Sequence, residues 1–171
     1  METDQIRVMI VDDHAVVRSG LGAFFAAYPD LELVGEAENG DQALARCGRL
    51  KPDVVLMDLL MPVMDGFQLC RAVRSDDRLK SVPFVFYTAT YTQDSDAKLA
   101  MQLGADDFII KPAEPDALLS RIQAVVAAAS AKGWQPRRPE VTDEADVLRL
   151  YSQRLVAKLE PNPPKMILHN A

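Results

Sequence analysis

Four groups of polar residues each close a short aliphatic run. Asp12-Asp13 follow IRVMIV, Asp58 ends DVVLMD, Thr88 ends PFVFYT, and Lys111 follows DFII. If those runs are strands of one sheet, the polar residues meet at its carboxyl edge. Three carboxylates in one hollow repel, and a pair about 4 Å apart costs on the order of 4 kcal/mol at an effective dielectric near 20. Either one carboxylate holds a proton or a cation sits among them. Hard oxygen ligands with no His or Cys expected nearby suit Mg²⁺, which keeps several waters and commonly bridges to a phosphate. With Lys111 as a positive charge and Thr88 as a hydroxyl donor, the set makes a receptacle for a phosphoryl group and offers an Asp as nucleophile.

That convergence depends on the fold. Five aliphatic or β-branched runs recur at 6–11, 32–37, 53–58, 83–88 and 107–110. Helical spacing lies between them: Val17, Leu21, Phe24 and Tyr28 form one face, and Leu118, Ile122, Val125 and Ala129 another. Runs one, three and four are almost unbroken in apolar residues, as expected of strands covered on both faces. Strict alternation of strand and helix requires crossovers, so the chain predicts an α/β, flavodoxin-like, doubly wound parallel sheet. In the order 2-1-3-4-5 the first and third strands are neighbours, which brings Asp12, Asp13 and Asp58 together. Such sheets hold their sites at the carboxyl edge, where the strand order reverses.

Composition narrows the classes. The 171 residues are 49% hydrophobic but only 6% aromatic, so the core is aliphatic. The net charge of -6 argues against a nucleic-acid surface, which needs clustered Lys and Arg. Cys47 and Cys70 make neither a disulfide framework nor a CxxC site. No apolar run approaches a membrane span, and the first residues lack a signal-peptide pattern, so the expected location is cytoplasmic.

The order, spacing and strand context of Asp12-Asp13, MDLLMPVMDG, Thr88-Ala89, GADDFIIKP and Lys111-Pro112 resemble the receiver domain of two-component response regulators, the CheY-like superfamily. The resemblance covers residues 4–128. It implies that Asp58 accepts a phosphoryl group from the phosphohistidine of a sensor histidine kinase or phosphotransfer protein. It further implies that Asp13, Asp58 and the Leu60 backbone carbonyl ligate Mg²⁺, while Asp12 holds a metal-bound water. Thr88 would bond a phosphoryl oxygen and Lys111 would pair with it. Phe108 would be the switch residue, turning inward once Thr88 is drawn toward the phosphate, and Pro112 would follow a cis bond. The protein would be no enzyme beyond loss of its own acyl phosphate.

Taken singly, the residues have blander readings: Asp13 as a helix N-cap, Asp58 as a solvated strand end, Thr88 as an ordinary β residue and Lys111 as a surface lysine. His14 and His169 are too few and too separated for a histidine metal site. Two other functions compete. An aspartate-nucleophile phosphatase would carry a second Asp two residues after the nucleophile, where Leu60 stands; a receiver-like scaffold would signal without phosphate.

The chain after the receiver (4–129) divides into a Gly- and Pro-broken linker (130–141), a helix (142–160) and a loose end (161–171). Leu148, Tyr151, Leu155 and Leu159 form the helix's apolar stripe, which is about two heptads long. One reading makes the helix the start of a signalling coiled coil in a larger sensor- or kinase-type protein, for which about two heptads are short. The other packs it on its own receiver or on a second copy, with dimer contact favoured slightly; the fourth-helix, fifth-strand and fifth-helix face is the other candidate for a homodimer. A helix-turn-helix output domain does not fit in this length.

Overall fold

In a computed structural model of the chain, residues 5–58, 66–89, 94–111 and 113–135 are described. Strands β1 (Ile6–Val11), β2 (Leu31–Ala37), β3 (Val54–Met57), β4 (Phe84–Thr88) and β5 (Asp107–Ile110) alternate with five helices. These are α1 (Ala15–Ala26), α2 (Gly40–Leu50), α3 (Gly66–Ser75), α4 (Asp94–Gln102) and α5 (Pro115–Ser130). All strand pairs are parallel, in the order β2-β1-β3-β4-β5. The doubly wound α/β sheet is the one the alternating pattern predicts. Leu60, Pro112, His169 and the tail helix at 142–160 lie outside the described residues.

The core has two sides. Val8, Ile10, Leu56, Val85 and Ile109 meet Leu21 and Phe25 of α1 and Leu118 and Ile122 of α5. On the alternate strand positions, Met9, Met57, Phe84 and Phe86 are fully buried too, so β3 and β4 have no exposed residue. Each such aliphatic or aromatic side chain contributes about 1.5–3 kcal/mol on burial. The α1 face differs in detail from the predicted stripe. Helix α1 ends at Ala26, so Tyr28 lies beyond it; Phe25, one helical turn after Leu21, takes the buried place instead.

Two local devices set the β2 side. Val8 pairs with Leu33 and Met9 with Gly35, so Val34 is an extra residue in β2. Gly35 then meets α2 closely: a Cβ there would lie 2.5 Å from Leu50 Cδ1. Helix α2 opens with a reciprocal cap, in which Asn39 Oδ1 accepts from the Gln42 N–H and Gln42 Oε1 accepts from the Glu38 N–H. Helix α5 begins with Pro115 and ends at Ser130, followed by Gly133 at φ 84°, where the sequence places the break.

Candidate phosphoacceptor pocket

Parallel pairing builds the site. Val11 is opposite Met57, so the residues that follow them, Asp12 and Asp58, leave the sheet side by side. The Asp58 N–H donates to Val11 O (2.9 Å), and the Asp12 N–H donates to Ala37 O (3.0 Å). Asp12 and Asp58 are buried, whereas the Asp13 side chain is 30% exposed. One ligand atom from each of Asp12, Asp13, His14 and Asp58 falls within 4.8 Å of all the others.

The turn from β1 into α1 is made by Asp12, which corrects the N-cap reading of Asp13. Asp12 Oδ1 accepts from the His14 N–H at 2.8 Å, and His14 itself takes the N-cap position without a side-chain cap bond. Asp13 is left facing the cluster. His14, set aside in the sequence as one of two distant histidines, belongs to the pocket: its Nδ1 is 3.1 Å from Asp12 Oδ1 and 3.0 Å from Asp13 Oδ1. Its place directly after Asp13 was the available signal.

Lys111 arrives from the opposite side. The β4–β5 ladder continues one step, with the Lys111 N–H donating to Thr88 O at 2.9 Å. Its Nζ then reaches Asp12 Oδ2 at 2.7 Å and lies 5.3 Å from the centre of the Tyr87 ring. A cation over an aromatic face and against a buried carboxylate is held from two sides. Thr88 is fully buried at the same edge. Tyr87, read only as part of a strand, is thus a further contact of the site.

Phe108 packs on β4 from the neighbouring strand. The ring is buried, its centre 6.3 Å from that of Phe86 and tilted by 55°. The next strand position, Ile109, faces the α1–α5 side of the core, as alternation along β5 requires.

The donor set fits Mg²⁺. Three carboxylates supply hard oxygens, and Lys111 offsets one of their charges, which leaves a net negative hollow suited to a divalent cation. Asp13 and Asp58 would hold the ion; the expectation of no histidine nearby is corrected, because His14 directly follows Asp13 and brings a nitrogen within the same span. Among the described residues, no helix is long and apolar enough to cross a membrane.

The comparisons agree with this geometry. A protein-glutamate methylesterase/protein-glutamine glutaminase of Geobacillus kaustophilus is 40% identical over 114 residues, 66% of this chain and 32% of that protein. The response regulator protein VraR of Staphylococcus saprophyticus is 38% identical over 106 residues, 62% of this chain and 49% of that one. The chain therefore spans about a third to a half of the length of these relatives. A LuxR-family two-component response regulator from Aurantimonas has a solved structure with a TM-score of 0.68 and 25% identity, covering 90% of this chain and 99% of that one. The profile described as "response regulator receiver domain" matches residues 8–123. With the sheet order, the acidic pocket and that match in agreement, the chain belongs to the response regulator receiver family.

Proposed function

We propose that this protein is a phosphorylation-gated receiver, in the cytoplasm, that takes a phosphoryl group from a histidine kinase or phosphotransfer protein onto Asp58. The supporting observation is the pocket of Asp12, Asp13 and Asp58, closed on its far side by the Lys111 ammonium. An oxygen of the Asp58 carboxylate forms the new bond to phosphorus as the donor's phosphorus–nitrogen bond breaks, and the electron pair returns to the imidazole. When bound by Asp13, Asp58 and the Leu60 carbonyl, Mg²⁺ supplies positive charge against the travelling phosphoryl oxygens. Asp12 would hold a water of that ion.

Lys111 has three N–H donors, so it serves a phosphoryl oxygen while still bonded to Asp12. The Thr88 hydroxyl donates to a second oxygen. The contribution is positioning and charge, with no separate substrate to turn over. The acyl phosphate biases partner or dimer contacts by a coupling of about 1–3 kcal/mol.

Acetyl phosphate with Mg²⁺ tests this reading by intact-mass spectrometry. The parent gains one phosphoryl group and Asp58→Asn gains none. Undiminished labelling of the variant overturns the assignment.

A further inference from the structure

Arg18 sits in the second turn of α1, yet its side chain turns back toward the end of β1. Its Nη1 donates to the backbone carbonyl of Asp12 at 2.7 Å. The same guanidinium is flanked by two carboxylates from β2 and just beyond it: Nε is 4.0 Å from Glu36 Oε1 and Nη2 is 3.6 Å from Glu38 Oε1. Only 14% of the side chain is exposed. Glu36 is tied in turn, because Arg46 Nη1 donates to its carbonyl oxygen.

The backbone is therefore held on both sides of the Asp12 Cα, in the peptide before it and in the peptide after it. The Asp12 N–H is held by Ala37 O and its C=O by Arg18. A peptide unit is planar, so fixing the Asp12 carbonyl fixes the plane that carries the Asp13 N–H and sets where the Asp13 side chain starts. Without the arginine, that carbonyl is at the end of a strand, past its last ladder pairing in β1. The planar guanidinium, with five donors, brings this carbonyl together with Glu36 of β2 and Glu38 just beyond it at one rigid group.

We infer that Arg18 is a positioning residue for the acidic pocket: through the Asp12 carbonyl it sets the spacing at which Asp13 presents its oxygens for Mg²⁺. This deepens the receiver reading and rests on it for the identity of the ion. A bracing role and a plain charge role predict opposite signs. As a mere positive charge near carboxylates, Arg18 would weaken cation binding, and its removal would tighten it. As a brace, its removal weakens binding, and loss of outer supports of this kind lowers metal affinity by about 10-fold to 100-fold.

The experiment uses the full chain and its Arg18→Ala and Arg18→Lys variants. Mg²⁺ affinity is measured by calorimetry, and exchange of the His14 amide, which is bonded to Asp12 Oδ1, is followed by NMR without metal. Arg18→Ala is expected to bind Mg²⁺ about 10-fold more weakly and to exchange the His14 amide faster. Arg18→Lys keeps one donor for the carbonyl but cannot span both glutamates, so it recovers part of each loss. Unchanged or tighter Mg²⁺ binding in Arg18→Ala overturns the inference, and so does an unchanged His14 amide. A parent that binds no Mg²⁺, with an amide that still loosens in Arg18→Ala, defeats the metal reading and leaves the brace standing.

Discussion

Lys111 Nζ and Asp12 Oδ2 are 2.7 Å apart although 99 residues separate them in the chain. The contact joins the two ends of the receiver fold across its carboxyl edge, and both groups are largely withdrawn from solvent, at 15% and 2% exposure. Breaking such a pair from one side leaves a carboxylate buried beside two others.

Lys111→Met is therefore expected to lower stability by about 3 kcal/mol in metal-free buffer. Mg²⁺ should restore much of this, since a ligand at a hundred times its dissociation constant stabilises the native state by about 2.7 kcal/mol. Urea unfolding with and without Mg²⁺ checks both parts. A variant that unfolds like the parent without metal would show that the pair is energetically idle.

Arg74 has the converse role at the amino edge. Its side chain is 1% exposed and donates to Gly104 O, Lys80 O, Val82 O and Asp106 Oδ2. Asp106 also accepts from the Phe84 N–H. One guanidinium thus joins α3 to the segments entering β4 and β5. Arg74→Met should cost about 3–5 kcal/mol, because it leaves a carboxylate and three carbonyls without their donor. Mg²⁺ affinity of the folded variant should equal that of the parent, the site being at the other end of the strands; a matching loss of affinity would contradict this separation.

Burial raises the Cys47 thiol to about 11 and the Cys70 thiol to about 12. Unfolded thiols ionise at lower pH, so the native state retains protons that the unfolded state has lost. The resulting stability is complete below the ordinary thiol range and falls as pH rises through about 11 and then about 12. Urea midpoints should drop between about pH 8 and about pH 10, more steeply for the parent than for a Cys47→Ala, Cys70→Ala double variant. Equal slopes for the two proteins would exclude the thiols as the cause. At neutral pH both cysteines should resist disulfide reagents until the protein unfolds.

The strands were legible because their pattern is crude and strong. VVLM and FVFYT are apolar throughout, since helices cover both faces, and their polar successors mark where each strand leaves the core. From that edge Asp12, Asp13, Asp58, Thr88 and Lys111 followed directly. Helix faces were less legible: Val17, Leu21, Phe24 and Tyr28 fit one stripe, but the helix stops at Ala26 and the deepest residue is Phe25. Arg18 was not legible from periodicity, because it bonds a carbonyl six residues back. Arg74 was hidden for a related reason. Three of its four acceptors are main-chain oxygens, which carry no sequence signature.

Phe108 ties β5 to β4 beside the pocket's edge. With its ring against Phe86, the two strands share a side-chain contact as well as their ladder. The Lys111 N–H to Thr88 O bond extends that ladder to the edge of the pocket, so a shift of Thr88 carries Lys111 with it through the backbone.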